Sequence, residues 1–134
     1  MSKNETILII DDIEENIDIL ERQLASAEFN VLTANEGPKG LHILKKEHVD
    51  LILLDINMPI IDGITLLSNI KEDELLSHIP VIMVTTKDQE TAKVWAMPQG
   101  AKDYIVKPVQ EKALIEHVNM VLSASINVVG NSYS

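Results

Sequence analysis

Cysteine is absent from this chain of 134 residues. That removes any disulfide framework, thiolate nucleophile or zinc–thiolate site, and it fits a reducing compartment. Basic residues are few: 11 Lys and Arg stand against 21 Asp and Glu, a net charge of −10. Phosphate backbones and anionic lipid repel so acidic a chain, and direct nucleic-acid or membrane binding is not expected. No apolar run approaches the roughly 20 residues that span a bilayer. The N-terminal MSKNETILII has too few aliphatic and basic residues for a signal peptide. A cytoplasmic location is the expectation. None of the five glycines forms a G-x-G, which takes away the phosphate-cradling turn of a dinucleotide-binding fold. Aromatics make up 3% of the chain, and the single tryptophan, Trp95, is read as core packing rather than as an anchor for a partner.

What the chain does have is aliphatic residues in blocks. At 46% hydrophobic it can bury the core of one domain. Ile7–Ile10, Leu51–Leu54 and Val81–Val84 are short and unalternating, as strands buried on both faces are. FNVLTA at 29–34 and DYIV at 103–106 are weaker and read as edge strands. Between them lie helical spacings. Ile13, Ile17, Leu20 and Leu24 mark the first helix, with Asp12 and Glu15 resembling a capping box. Leu41 with Leu44, Ile64 with Leu67 and Ile70, and Leu114 with Val118, Val121 and Leu122 mark three more. A fourth crossover, about Asp88 to Gln99, is less regular, and Pro98 predicts its kink or early end before Gly100. Five strands alternating with five helices give an α/β fold: a parallel sheet, covered on both faces, with right-handed crossovers. The domain is placed at residues 1–124, and the small, polar 125–134 is read as a frayed tail.

Parallel strands all end on one rim, so the residues that follow the blocks become neighbours. They are Asp11 and Asp12 after the first, Asp55 after the second, Thr85 and Thr86 after the third, and Lys107-Pro108 after the last strand. Two carboxylates about 5 Å apart repel by roughly 3 kcal/mol at an effective dielectric near 20, a cost that a hard divalent cation relieves. Magnesium suits such oxygen ligands and keeps positions open for water and phosphate. Taken singly, Asp12 could be a helix cap, Thr85 a strand residue, Lys107 a solvated lysine and Tyr104 packing on an edge strand. His42, His48, His78 and His117 show no i, i+4 pair and are read as spectators.

In this order and at these strand ends, Asp11-Asp12, Asp55, Met58-Pro59, Asp62-Gly63, Thr85 and Lys107-Pro108 resemble the receiver domain of bacterial two-component response regulators. The resemblance covers roughly residues 5 to 124. It implies a flavodoxin-like doubly wound (βα)5 fold with strand order 2-1-3-4-5. It also implies that Asp55 is a phosphoacceptor, taking a phosphoryl group from a phosphohistidine on a sensor kinase or histidine phosphotransfer protein. Mg2+ would be held by Asp12, by Asp11 mainly through water, by Asp55 and by the Asn57 backbone carbonyl. Lys107 would neutralise phosphoryl charge and the Thr85 hydroxyl would bond a phosphoryl oxygen. A cis peptide before Pro108 would aim Lys107 into the site, and Tyr104 would be the switch aromatic. Such a protein is a phosphorylation-controlled switch, not an enzyme with a separate substrate, although it assists its own phosphorylation and autodephosphorylation. Its output would pass through the fourth helix, fifth strand and fifth helix to a protein target, as in chemotaxis-like or phosphorelay regulators.

Departures and rivals bear on this reading. Thr86 is bulkier than the small residue frequent there in the family, which would narrow access to the site. A haloacid-dehalogenase-like phosphatase would need a second acid two residues after Asp55, where this chain has Asn57. A flavin or dinucleotide carrier would need a neutral first loop, and here that loop is DDIEEN. A docking module that works without phosphorylation stays open as the alternative.

Overall fold

The computed structural model describes residues 4–56, 62–86, 94 and 96–131, with side chains described up to Ala124. Five strands form one parallel sheet in the order β2-β1-β3-β4-β5. They are β1 (Thr6–Ile10), β2 (Asn30–Ala34), β3 (Leu51–Asp55), β4 (Val81–Thr85) and β5 (Asp103–Val106). The three aliphatic blocks are the three interior strands, and the two weaker segments are the edges. Among the described residues there are four helices: α1 (Glu14–Ser26), α2 (Gly37–Lys46), α3 (Gly63–Glu72) and a C-terminal helix (Glu111–Asn131). Most of the fourth crossover, with Trp95, lies outside the described residues.

Unbroken aliphatic strands are needed because the sheet has a core on each side. Leu8, Ile10, Ile52, Leu54, Val81 and Met83 point to one face, where Leu44 of α2 and Leu66, Leu67 and Ile70 of α3 cover them. Ile7, Ile9, Leu51, Leu53, Ile82 and Val84 point to the other. There Ile17, Leu20 and Leu24 of α1 and Leu114, Val118 and Val121 of the C-terminal helix close the layer. Period-two strands and helical stripes thus agree on a single three-layer packing.

Two local expectations, both at the start of α1, need correction. The N-cap of α1 is Ile13, with no side-chain cap bond, so Asp12 is not a cap and the resemblance to a capping box is accidental. The turn into α1 is made by Asp11, whose Oδ1 accepts the Ile13 N–H at 3.0 Å. Ile13 is 49% exposed and does not belong to the buried stripe. At the other end, helical backbone continues to Asn131, past residue 124. The early stop before Gly100 is present. The Ala101 and Gly100 N–H groups donate back to Ala96 O and Met97 O, both at 3.1 Å, and Gly100 takes φ 114°, which is a Schellman ending.

Candidate functional site

The site is built where four strands end side by side. Asp55 is the last residue of β3 and pairs in register with Val84, and Thr85 ends β4 opposite Val106. Asp11 follows β1 directly, and its N–H still reaches Ala34 O at 3.1 Å. These positions are deep for polar groups: Asp11 is 1%, Asp55 3% and Thr85 1% exposed. A buried carboxylate is tolerated only with compensation, and Lys107 provides it. Its Nζ donates to Asp55 Oδ1 at 3.2 Å and to Asp11 Oδ2 at 3.4 Å. The Lys107-Pro108 peptide is cis, and the Lys107 N–H donates to Thr85 O at 2.6 Å.

Among the described residues one ammonium faces three acids, which it does not neutralise. Asp11, Asp12 and Asp55 each offer a carboxylate oxygen, all within 4.8 Å of one another. Asp12 is the least buried of the three, yet its Oδ1 is shut off from solvent and has no hydrogen-bond partner among the described residues. Hard oxygen donors with an unsatisfied atom among them fit a hard divalent cation. Burial, and next the Asp11 carboxylate, push the Asp55 carboxyl up to about 6, against the opposing pull of Lys107. Asp55 is thus a carboxylate whose negative charge is under-compensated, ready for an added positive or electrophilic group.

Behind Asp55 the backbone is tightly packed. Asp62 caps α3 by accepting the Thr65 N–H at 2.8 Å, and the Gly63 N–H donates to Ile56 O at 2.8 Å. A Cβ on Gly63 would lie 2.2 Å from Asp55 O, so only glycine lets α3 start against the acceptor strand. Beside the site, a cleft of about 340 Å3 is lined by residues that include Ile19, Leu20, Lys107, Pro108 and Val109.

Asp11, Asp12, Asp55, Thr85 and Lys107 are therefore brought together as their strand ends required. Thr85 Oγ1 donates to Thr86 O at 3.1 Å. Tyr104 lies on β5 in register with Met83, half-buried against the α2–α3 core. Asn57, Met58 and Pro59 lie outside the described residues. Two groups were not legible in the sequence: His117, read as a spectator, is paired, and Gln23 carried no signal at all. His117 Nδ1 pairs with Asp103 Oδ2, joining the C-terminal helix to β5. Gln23 Nε2 donates to Val109 O at 3.1 Å, from α1 to the segment after Lys107. Neither carries a spacing signal, since each partner is fixed only by tertiary packing.

Comparison with known proteins agrees with this geometry. The family model of the response regulator receiver domain matches residues 7–119. Protein PilH of Pseudomonas aeruginosa PAO1 is 43% identical over 117 residues, which is 87% of this chain and 97% of that protein. Chemotaxis protein CheY-3 of Vibrio cholerae is 37% identical over 122 residues, 90% of this chain and 94% of that protein. Among solved structures, a CheY-like response regulator receiver domain protein from Methanospirillum hungatei JF-1 superimposes with a TM-score of 0.86. It is 29% identical, over 93% of this chain and 98% of that one. A family model that spans most of the chain, and a relative 43% identical over nearly its whole length, show that the chain belongs to the response regulator receiver domains of two-component signalling.

Proposed function

We propose that this receiver takes a phosphoryl group onto Asp55 from a phosphohistidine of a sensor kinase or histidine phosphotransfer protein, and that the acyl phosphate so formed switches its signalling face. The reading is carried by one observation: a buried carboxylate 3.2 Å from the Lys107 ammonium, with two further acids alongside. In the transfer, an Asp55 oxygen forms the new O–P bond as the N–P bond to the imidazole breaks, and the imidazole nitrogen keeps the bonding pair. Chemistry of this kind asks for positioning and charge stabilisation rather than for a covalent helper. Lys107 supplies a fixed positive charge beside the entering phosphoryl group. Asp11, Asp12, Asp55 and the Asn57 carbonyl would hold Mg2+, which supplies positive charge against the phosphoryl oxygens and relieves carboxylate repulsion. The same groups would assist later hydrolysis of the acyl phosphate.

The switch follows from what surrounds the acceptor. The Thr85 hydroxyl, now directed to Thr86 O, would turn to a phosphoryl oxygen, a charge-assisted bond. Tyr104, half-buried on the neighbouring strand, would then move further in and alter the surface made by the fourth crossover, β5 and the C-terminal helix. A protein target is the expected reader of that change. No helix among the described residues is long and apolar enough to cross a membrane.

Intact mass after treatment with acetyl phosphate and Mg2+ tests the reading. Wild type should gain one phosphoryl group and Asp55→Asn none, with its fold intact. Labelling of the Asn variant would move the acceptor elsewhere. An unlabelled wild type that still captured its partner would favour docking without phosphorylation.

A further inference from the structure

The backbone that carries Lys107 is anchored on both sides of that residue. Upstream, the Lys107 N–H donates to Thr85 O at 2.6 Å, the last rung of the ladder. Downstream, Pro108 has no N–H to give. The next polar tie is the Val109 carbonyl, which accepts from Gln23 Nε2 at 3.1 Å across 86 positions of sequence. Gln23 stands on α1, the helix that opens at the Asp11–Ile13 turn. One helix therefore bears on both halves of the site, the acids at its start and the lysine segment along its side.

The orientation of the amide is fixed by chemistry: two oxygens would repel, so the NH2 group must face the carbonyl. The other half of the amide is left over. Gln23 Oε1 is shut off from solvent and has no partner among the described residues. A buried acceptor without a donor costs at least as much as one ordinary hydrogen bond returns. On stability alone an aliphatic side chain of similar volume would serve as well, so what the amide contributes is the placement of Val109.

We propose that Gln23 is a positioning residue for Lys107: its amide ties the Val109 carbonyl to α1, holding the Lys107–Val109 backbone so that the ammonium stands between Asp11 and Asp55. The inference rests on the reading of Lys107 as the group that meets phosphoryl charge. Gln23 touches neither phosphate nor metal and acts only through the segment it holds.

Two variants separate placement from stability. Gln23→Leu removes the donor at nearly constant volume, and Gln23→Glu keeps the shape while offering only acceptors at neutral pH. Leu44→Val, a change in the core under α2, is the control for a general loss of stability. The first readout is the NMR signal of the Lys107 ε-methylene in lysine-labelled protein, assigned by its loss in Lys107→Arg. It should move toward the position of exposed lysines in both Gln23 variants and stay in place in Leu44→Val. The second is phosphorylation by acetyl phosphate. Its maximal rate should fall about tenfold in the Gln23 variants, the order expected when a charge-stabilising group loses its placement, with half-saturating Mg2+ unchanged. A Lys107 signal unmoved in the Gln23 variants, or moved equally by Leu44→Val, overturns the proposal. If Gln23→Leu fails to fold, Gln23→Glu decides. If wild type is not phosphorylated at all, the phosphoacceptor reading falls, while the Lys107 signal still decides what Gln23 does.

Discussion

Asp55 is a buried carboxyl set beside a second carboxylate. Burial and the Asp11 charge raise it from 3.8 to about 6, and Lys107 limits the rise. For an acid whose folded value lies above its unfolded one, the folded state binds the proton more tightly. The stability this contributes is full below the unfolded value and is lost as pH climbs through about 6. Without divalent cation, wild type at pH 7 therefore bears an ionised buried group that Asp55→Asn lacks. The Asn variant should be more stable there by on the order of 2 kcal/mol. Urea titrations with chelator present should find the gap narrowing as pH is lowered from 7 to 4. A gap that widens on acidification would place the shift in the wrong direction. The cluster itself was legible in the sequence because chain order and parallel strands leave Asp11, Asp12, Asp55 and Lys107 nowhere else to end. Gln23 was not, because an amide on a helix facing solvent on one side looks the same whether or not a carbonyl 86 residues away accepts from it.

Helix ends divide into those the chain chemistry announces and those that packing imposes. The strands were readable from their aliphatic runs, since only a doubly covered sheet can use four consecutive buried side chains. The start of α1 was misread because D-x-x-E spacing also arises when the acid serves another purpose, here the turn at Asp11 and the acidic cluster. Its end was not anticipated. The Phe29 and Glu28 N–H groups close back on Leu24 O and Ala25 O at 3.2 and 2.9 Å, with Glu28 at φ 68°. A side chain there pays the left-handed penalty that glycine avoids. Glu28→Gly should accordingly stabilise the protein by about 1 kcal/mol, read as a higher denaturation midpoint with an unchanged m-value. Gly63 is the opposite case. Its Cβ would meet Asp55 O at 2.2 Å and Ile56 Cα at 2.7 Å, both backbone atoms with no rotamer to yield. Gly63→Ala should cost about 3 kcal/mol and slow phosphorylation at Asp55 as well. Wild-type rates in that variant would mean that α3 can draw back without moving the acceptor.

Two packed cores hold the sheet from either side, while the polar machinery sits on one rim, so metal binding and folding meet at a boundary. A chain of net charge −10 already works against its own repulsion when it folds, and three acids gathered within 4.8 Å concentrate that repulsion. The unfolded chain disperses them. A dication should therefore bind the folded state far better than the unfolded one and stabilise it by mass action, by about 2.7 kcal/mol at a hundredfold excess over its dissociation constant. For a domain of this size that is roughly a 10 °C rise in Tm. Sodium chloride at matched ionic strength screens the general repulsion but cannot bridge carboxylates, so it should give a much smaller rise. Asp12→Asn separates the two effects. It removes one charge, which alone would raise the Tm of the metal-free protein, and it weakens the oxygen set built around Asp12 Oδ1. Magnesium should then shift the Tm of the variant by less than half the wild-type amount, while sodium chloride shifts both proteins alike. Equal magnesium shifts in the two proteins would mean that the cation acts on the overall charge and not at the rim.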